Sequence, residues 1–212
     1  MRSIIIGAGT YGEVYLAYLQ DAGVEVFGFL DDDLKYRNKS IGGIPVLGGV
    51  SLLESLKESH AVEAVYCPLG NNELRVKFLT MAKGMGYQVP CYIHPSVIIS
   101  PKVQIGEGVY VLLGTTIMPY TTIRNYVMIS MGVHLAHHTI LDEGVFLSTG
   151  CNFGASIYAN KYAYCGISST IMTGIKELGK SCLIGAGAVV IKDVPDRAVV
   201  AGVPAKILKY KW

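Results

Sequence analysis

The stretch Ile129-Ser130-Met131-Gly132-Val133-His134-Leu135-Ala136-His137-His138-Thr139-Ile140-Leu141-Asp142-Glu143-Gly144-Val145-Phe146-Leu147 repeats every six residues. Ile129, Leu135, Leu141 and Leu147 are apolar, while Val133, Thr139 and Val145, four residues after each of the first three, are small or branched. The phase runs outward both ways, from Ile93, Ile99, Ile105, Val111, Ile117 and Ile123 to Phe153, Ala159, Cys165 and Ile171. After one extra residue it resumes at Leu178, Ile184 and Val190. Strands repeat every two residues and helices every 3.6, so a six-residue period sustained over seventeen hexads means a solenoid of short parallel strands. Three hexads close an 18-residue triangular coil, giving nearly six coils around a narrow apolar prism. No hexad carries a long loop, so ligand contacts must come from coil surfaces, the rest of the chain or a neighbouring subunit.

Residues 1–92 follow another rhythm, and we read them as a separate parallel-sheet domain, with 93–212 as the solenoid and its tail. A strand over 3–6 leads into Gly7-Ala8-Gly9-Thr10-Tyr11-Gly12 and a helix to about Ala22. Strands over 25–30, 44–47 and 61–69, with helices from Ser51 and Asn71, complete a βαβ pattern. Ser51 and Asn71 are suitable helix caps.

Composition agrees with a globular chain. Of 212 residues, 51% are hydrophobic and 16% charged. Mean hydropathy is +0.40, which the solenoid core explains, because no apolar run approaches the roughly 20 residues that span a bilayer. Gly7 cuts short Ile4-Ile5-Ile6 and Glu13 follows, so neither a membrane partner nor a signal peptide is expected. Five unpatterned cysteines without a CxxC imply a reducing, cytoplasmic setting. A net charge of +2 gives no drive toward nucleic acid. The final stretch concentrates Lys192, Arg197, Lys206, Lys209 and Lys211, either a solvated tail or a surface for a polyanionic ligand.

Two places could carry chemistry. The glycine loop joins a strand to a helix, where backbone N–H groups and the helix dipole attract phosphate, and Asp31 lies 22 residues beyond Gly9, as ribose recognition requires. About 92 residues hold only half of a dinucleotide-binding sheet, so a smaller nucleotide is expected. In the solenoid, His134, His137 and His138 fall within five residues. They lie along a strand and corner rather than a helix face, and a structural zinc needs four ligands, so no metal is expected. An imidazole titrating near neutrality suits proton removal from an attacking nucleophile. The cysteines at core positions read as small hydrophobes.

The hexads, the closing Ala201-Gly202-Val203-Pro204-Ala205-Lys206, the glycine loop, Phe29-Leu30-Asp31-Asp32 and Gly70-Asn71-Asn72-Glu73 together resemble the NeuD/PglD-type sugar acetyltransferases. These are hexapeptide-repeat acyltransferases with a Rossmann-like nucleotide-sugar domain ahead of a left-handed parallel β-helix. The resemblance covers essentially the whole chain. It implies an acetyl-CoA-dependent N-acetyltransferase acting on a nucleotide-linked 4-amino deoxysugar for bacterial surface glycan precursors. It also implies a homotrimer with acetyl-CoA and the active sites between subunits. It assigns Gly9, Thr10, Tyr11, Asp31, Asp32 and Gly70 to the nucleotide-linked sugar and His137 to the general base. Phe146, Ile167 and Ala186, with Gly185 and Gly187 beside it, fall to acetyl-CoA.

Three residues depart from that family's pattern. Tyr11 stands where a His is frequent, and His138 where the residue after the base is often acidic. Phe146 replaces a His that contacts the acyl donor. His138 either orients His137 or, once protonated, weakens it. With Phe146, backbone N–H groups stabilise the oxyanion or the donor sits differently. An O-acetyltransferase for a sialic-acid-like sugar and a catalytically silent sugar-binding scaffold are the alternatives.

Overall fold

The computed structural model describes residues 1–59 and 62–211. It divides into two compact units, Met1–Pro90 and Cys91–Trp212. No helix among the described residues is long and apolar enough to cross a membrane.

The first unit is a five-stranded sheet. Its elements are β1 (Arg2–Ile6), α1 (Thr10–Asp21), β2 (Glu25–Leu30), β3 (Ser40–Ile41), β4 (Ile44–Gly48), α2 (Leu53–Glu58), β5 (Ala64–Tyr66) and α3 (Asn72–Gly84). The strand order is β3-β4-β2-β1-β5. Pairing is parallel except for the edge pair β3–β4. The order reverses between β1 and β5, the position at which open α/β sheets bind ligands beyond the carboxyl ends of their strands. Ile4, Ile5, Phe29, Leu30 and Val65 fill the core. Gly12 lets α1 start close to β1, since a Cβ there would run into the carbonyl oxygen of Gly7.

Two local expectations change. Asn71 caps α3, accepting from Leu74 N at 3.1 Å, but Ser51 caps nothing. A 3₁₀ turn over Val50–Leu52 precedes α2, and Asp32 Oδ1 accepts the Val50 N–H at 2.8 Å. A carboxylate from the loop after β2 thus fills the position assigned to the serine. The strand expected over 61–69 is confined to Ala64–Tyr66, its first residue, Ala61, lying outside the described residues. Residues 67–71 form instead a loop held by Arg75. That guanidinium is fully buried, donating to Leu69 O at 2.6 Å and Asn72 Oδ1 at 3.0 Å.

The second unit is a parallel β-helix. Seventeen two-residue strands among the described residues, from Tyr92–Ile93 to Val189–Val190, end on the seventeen hexad-leading residues. They stack into three faces. The first face includes Tyr110–Val111, Met128–Ile129, Phe146–Leu147 and Tyr164–Cys165. The second includes Thr116–Ile117, His134–Leu135 and Asn152–Phe153. The third includes Thr122–Ile123, Ile140–Leu141 and Tyr158–Ala159. Leading and fifth-position residues such as Val133, Leu135, Thr139, Leu141 and Val145 are buried along the axis. The tail adds a further strand, Lys206–Tyr210, antiparallel to Ala198–Ala201, which the hexad period could not foretell.

Where coils crowd at a corner, glycine is required. A Cβ on Gly154 would collide with the backbone nitrogen of Thr173, and backbone cannot retreat as a side chain can. Gly154→Ala should lower unfolding free energy by about 1–3 kcal/mol in urea titration. Arg75→Met, stranding the Leu69 carbonyl, should cost about 1–3 kcal/mol by the same measurement.

Candidate active site

In the first unit the candidate ligand residues surround the ends of β1, β2 and β5. The structure commits part of them internally. Asp31 Oδ2 accepts the Ala8 N–H at 2.8 Å and its Oδ1 accepts the Asp33 N–H at 2.8 Å. The loop amide that could meet a phosphate is therefore already paired with a carboxylate. Asp32 uses Oδ1 on Val50. Beside these two aspartates lies a cavity of about 340 Å³, with apolar walls from Ile6, Leu30, Val50, Leu69 and Phe78 and with Lys77 also in its lining. A second cavity, about 440 Å³, opens from Asp31 and Asp32 toward Arg37, Asn38 and Ser51. Gly9 and Gly70 are half-buried, and Thr10 and Tyr11 are exposed at the start of α1. Lys77, Phe78 and Arg37 were missed in the sequence, because nothing local marks a residue that lines a cavity from another element.

In the β-helix, His137 and His138 form the corner between the second and third faces, and both are exposed. Their Nδ1 atoms are 3.0 Å apart, with the rings edge to face at 5.1 Å. His138 stacks on Tyr120 at 4.8 Å and 27°. One imidazole donates through Nδ1 and the other accepts there. If His137 donates, its Nε2 keeps a lone pair, as a base must. His134 belongs elsewhere: it stands on the second face, its Nδ1 2.7 Å from Thr116 Oγ1. Among the described residues no group of three or more His, Cys, Asp or Glu is disposed to hold a metal.

The residues assigned to acetyl-CoA gather at the other edge of the second face. Exposed Ile167 and Gly187 stack at one corner, Gly187 N donating to Ile167 O at 2.8 Å. Gly185 is half-buried, and Ala186 and Gly187 are exposed. Phe146 does not join this corner as an exposed group. It is 2% exposed, its ring edge-on to Tyr164 at 5.1 Å. Within one chain, the histidine corner and the Ile167–Gly187 corner thus flank the second face without meeting.

A third cluster lies on the third face. Asp142, its side chain 8% exposed, accepts from Arg124 Nη1 at 3.0 Å, Tyr158 OH at 2.9 Å and Glu143 N at 2.7 Å. Burial alone would raise the Asp142 carboxyl, but these bonds outweigh it and hold the group below its ordinary value. Burial pushes Cys67 and Cys182 up to about 12 and Cys165 well above its usual range, so none of these thiols is an available nucleophile. Tyr120 and Arg124 were also missed in the sequence. The signal was there, for Tyr120 is 18 residues before His138 and Arg124 is 18 before Asp142, one coil in each case.

Comparison with known proteins places this arrangement. Residues 2–82 match the PglD N-terminal domain. Over 99% of this chain and 97% of the other, the structure resembles a histidine-to-alanine variant of GDP-perosamine N-acetyltransferase from Caulobacter crescentus in complex with CoA and GDP-perosamine, at 29% identity and a TM-score of 0.92. It also resembles the acetyltransferase domain of PglB from Neisseria gonorrhoeae, at 27% identity and a TM-score of 0.87 over 98% of this chain and 99% of that one. Among curated proteins, galactoside O-acetyltransferase of Lactococcus lactis is 27% identical over 55% of this chain, which spans 58% of that relative's length. The solenoid is thus a left-handed β-helix. Residues 2–82 thus match a PglD N-terminal domain, the chain as a whole resembles sugar acetyltransferases of the hexapeptide-repeat type, and it is an acyltransferase.

The Asp142 cluster gives a pH test. Its lowered pKa means stability that is complete above the ordinary carboxylate value of 3.8 and lost as pH falls through the folded value. The Tm advantage of the native chain over Asp142→Asn, read by calorimetry, should therefore shrink as pH drops from 6 to about 3.

Proposed function

We propose that this chain transfers the acetyl group of acetyl-CoA to the amine of a nucleotide-linked amino sugar, probed best as a 4-amino deoxysugar, with His137 as general base. The observation that carries this reading is the resemblance along both units to a nucleotide-sugar N-acetyltransferase complexed with CoA and its sugar substrate. The cavity beside Asp31 and Asp32 would take the nucleotide. His137, its Nδ1 donating to His138, presents the Nε2 lone pair to the amine. The amine nitrogen attacks the acetyl carbonyl and its proton moves to Nε2. The tetrahedral oxyanion collapses, the C–S bond breaks, and the thiolate takes a proton to leave as CoA.

A homotrimer fits the geometry, because base and donor corners stand on opposite edges of the second face and one chain does not unite them. Apolar residues on that face and its corners support such packing, with Ile98 65%, Ile167 56% and Met172 48% exposed. A cytoplasmic setting accords with cysteines that show no pairing pattern.

O-acetylation is the second reading, favoured by the likeness to a galactoside O-acetyltransferase. Hydroxylamine separates the two, removing an acetyl ester and sparing an amide.

Thiol release from acetyl-CoA should be seen with one of a panel of UDP-, dTDP- and GDP-linked amino sugars. His137→Ala should lower kcat by about 10²–10⁴-fold while KM changes little. Equal turnover by the native chain and the variant would remove His137 from the chemistry.

A further inference from the structure

Consecutive residues on a strand point to opposite faces, yet His137 and His138 bring their rings together. The corner backbone is the cause. His138 is left-handed, with φ +58°, and its N–H donates to Pro119 O of the adjacent coil at 3.3 Å. The ring then meets His137 at Nδ1, 3.0 Å away, and lies on Tyr120 at 4.8 Å. Two nitrogens this close hold one proton between them, because two facing N–H groups would lose the bond. With that proton on His137 Nδ1, the proton of neutral His138 sits on Nε2, and His138 is exposed.

We propose that His138 is a proton relay for His137 and that Tyr120 is the positioning residue that holds its ring. This rests on His137 acting as base. As the attacking amine gives its proton to His137 Nε2, the Nδ1 proton of His137 passes to His138 Nδ1, and the Nε2 proton of His138 leaves to water. Both rings remain neutral. When the C–S bond breaks, the thiolate takes the proton from His137 Nε2, His138 returns its Nδ1 proton to His137, and His138 Nε2 recovers one from water. Over the cycle the amine loses one proton, CoA gains one, and the pair is reset. A carboxylate at this position would stabilise an imidazolium; a second imidazole passes the charge on instead.

His138→Asn separates relay from simple orientation. Asparagine tolerates the left-handed corner, and its carbonyl accepts from His137 Nδ1–H, but it moves no proton. Single-turnover acetyl transfer should fall about tenfold or more in His138→Asn, less than the full 10²–10⁴-fold of general acid–base catalysis because His137 still accepts the amine proton. Added imidazole should restore part of the rate of His138→Ala and leave the native rate unchanged. The native rate should bend downward with deuterium fraction, as two protons in flight require, and run straight in His138→Asn. Tyr120→Asn should slow transfer while Tyr120→Phe, which keeps the ring, should not. Without substrate, ¹⁵N imidazole shifts should show the proton of His137 on Nδ1 and that of His138 on Nε2.

A His138→Asn variant as fast as the native chain, a straight native proton inventory, or His137 carrying its proton on Nε2 would each overturn the relay. If His137→Ala also transfers at the native rate, the base assignment itself has failed. If only His138→Asn does, the base stands and the relay falls.

Discussion

Every coil of the β-helix must return to the same place after three hexads, and that closure is the constraint on which the rest depends. Backbone amides hydrogen-bond from coil to coil, as from Thr116 N to Val133 O and Ser130 N to Leu147 O, at 2.9 Å in both cases. The corners close through left-handed residues such as Gly132, Gly144, Tyr120 and His138, all with φ between 58° and 68°. This backbone region suits glycine and costs most other residues. A non-glycine residue there carries strain that function can justify. At Tyr120 and His138 the result is an aromatic pair one coil apart.

Closure also decides which side chains meet. Residues 18 apart stand one above the other, giving Thr116 with His134, Tyr120 with His138, Arg124 with Asp142 and Glu143 with Lys161. The polar chemistry of this unit is therefore written in vertical pairs rather than in loops. The prism interior is filled mainly by Val, Ile, Leu, Ala and Cys side chains, and buried hydroxyls such as those of Thr115 and Thr139 are spent on backbone carbonyls. Chemistry is confined to corners and outer faces. The first unit follows the opposite logic: an open sheet leaves a crevice where strand order reverses, and loops supply the polar groups.

Much of this was legible in the residues. The hexad leaders predicted every two-residue strand of the solenoid, because burial along a narrow axis admits one apolar residue per strand. The alternation of β and α in residues 1–92 was equally plain, and Asn71 announced the start of α3. What the sequence hid was the use made of its polar residues. Asp31 and Asp32 read as ligand groups, and the residues did not announce that Asp31 also accepts from a loop amide and Asp32 from the first amide of a turn that Ser51 was expected to cap. Arg75 gave no sign that it would be buried under the 67–71 loop. Phe146, set against acetyl-CoA by position, packs on Tyr164. That His138 acts on His137 was expected, but the left-handed backbone angle that brings their rings together is one no residue pattern states.

The account rests on His137 as the base, and a structure of the chain with CoA and a nucleotide-linked amino sugar tests that most directly. The account predicts the sugar amine about 3 Å from His137 Nε2 and CoA along the Ile167–Gly187 corner of a neighbouring copy. A sugar amine held far from His137, with CoA at a corner without either histidine, would contradict it.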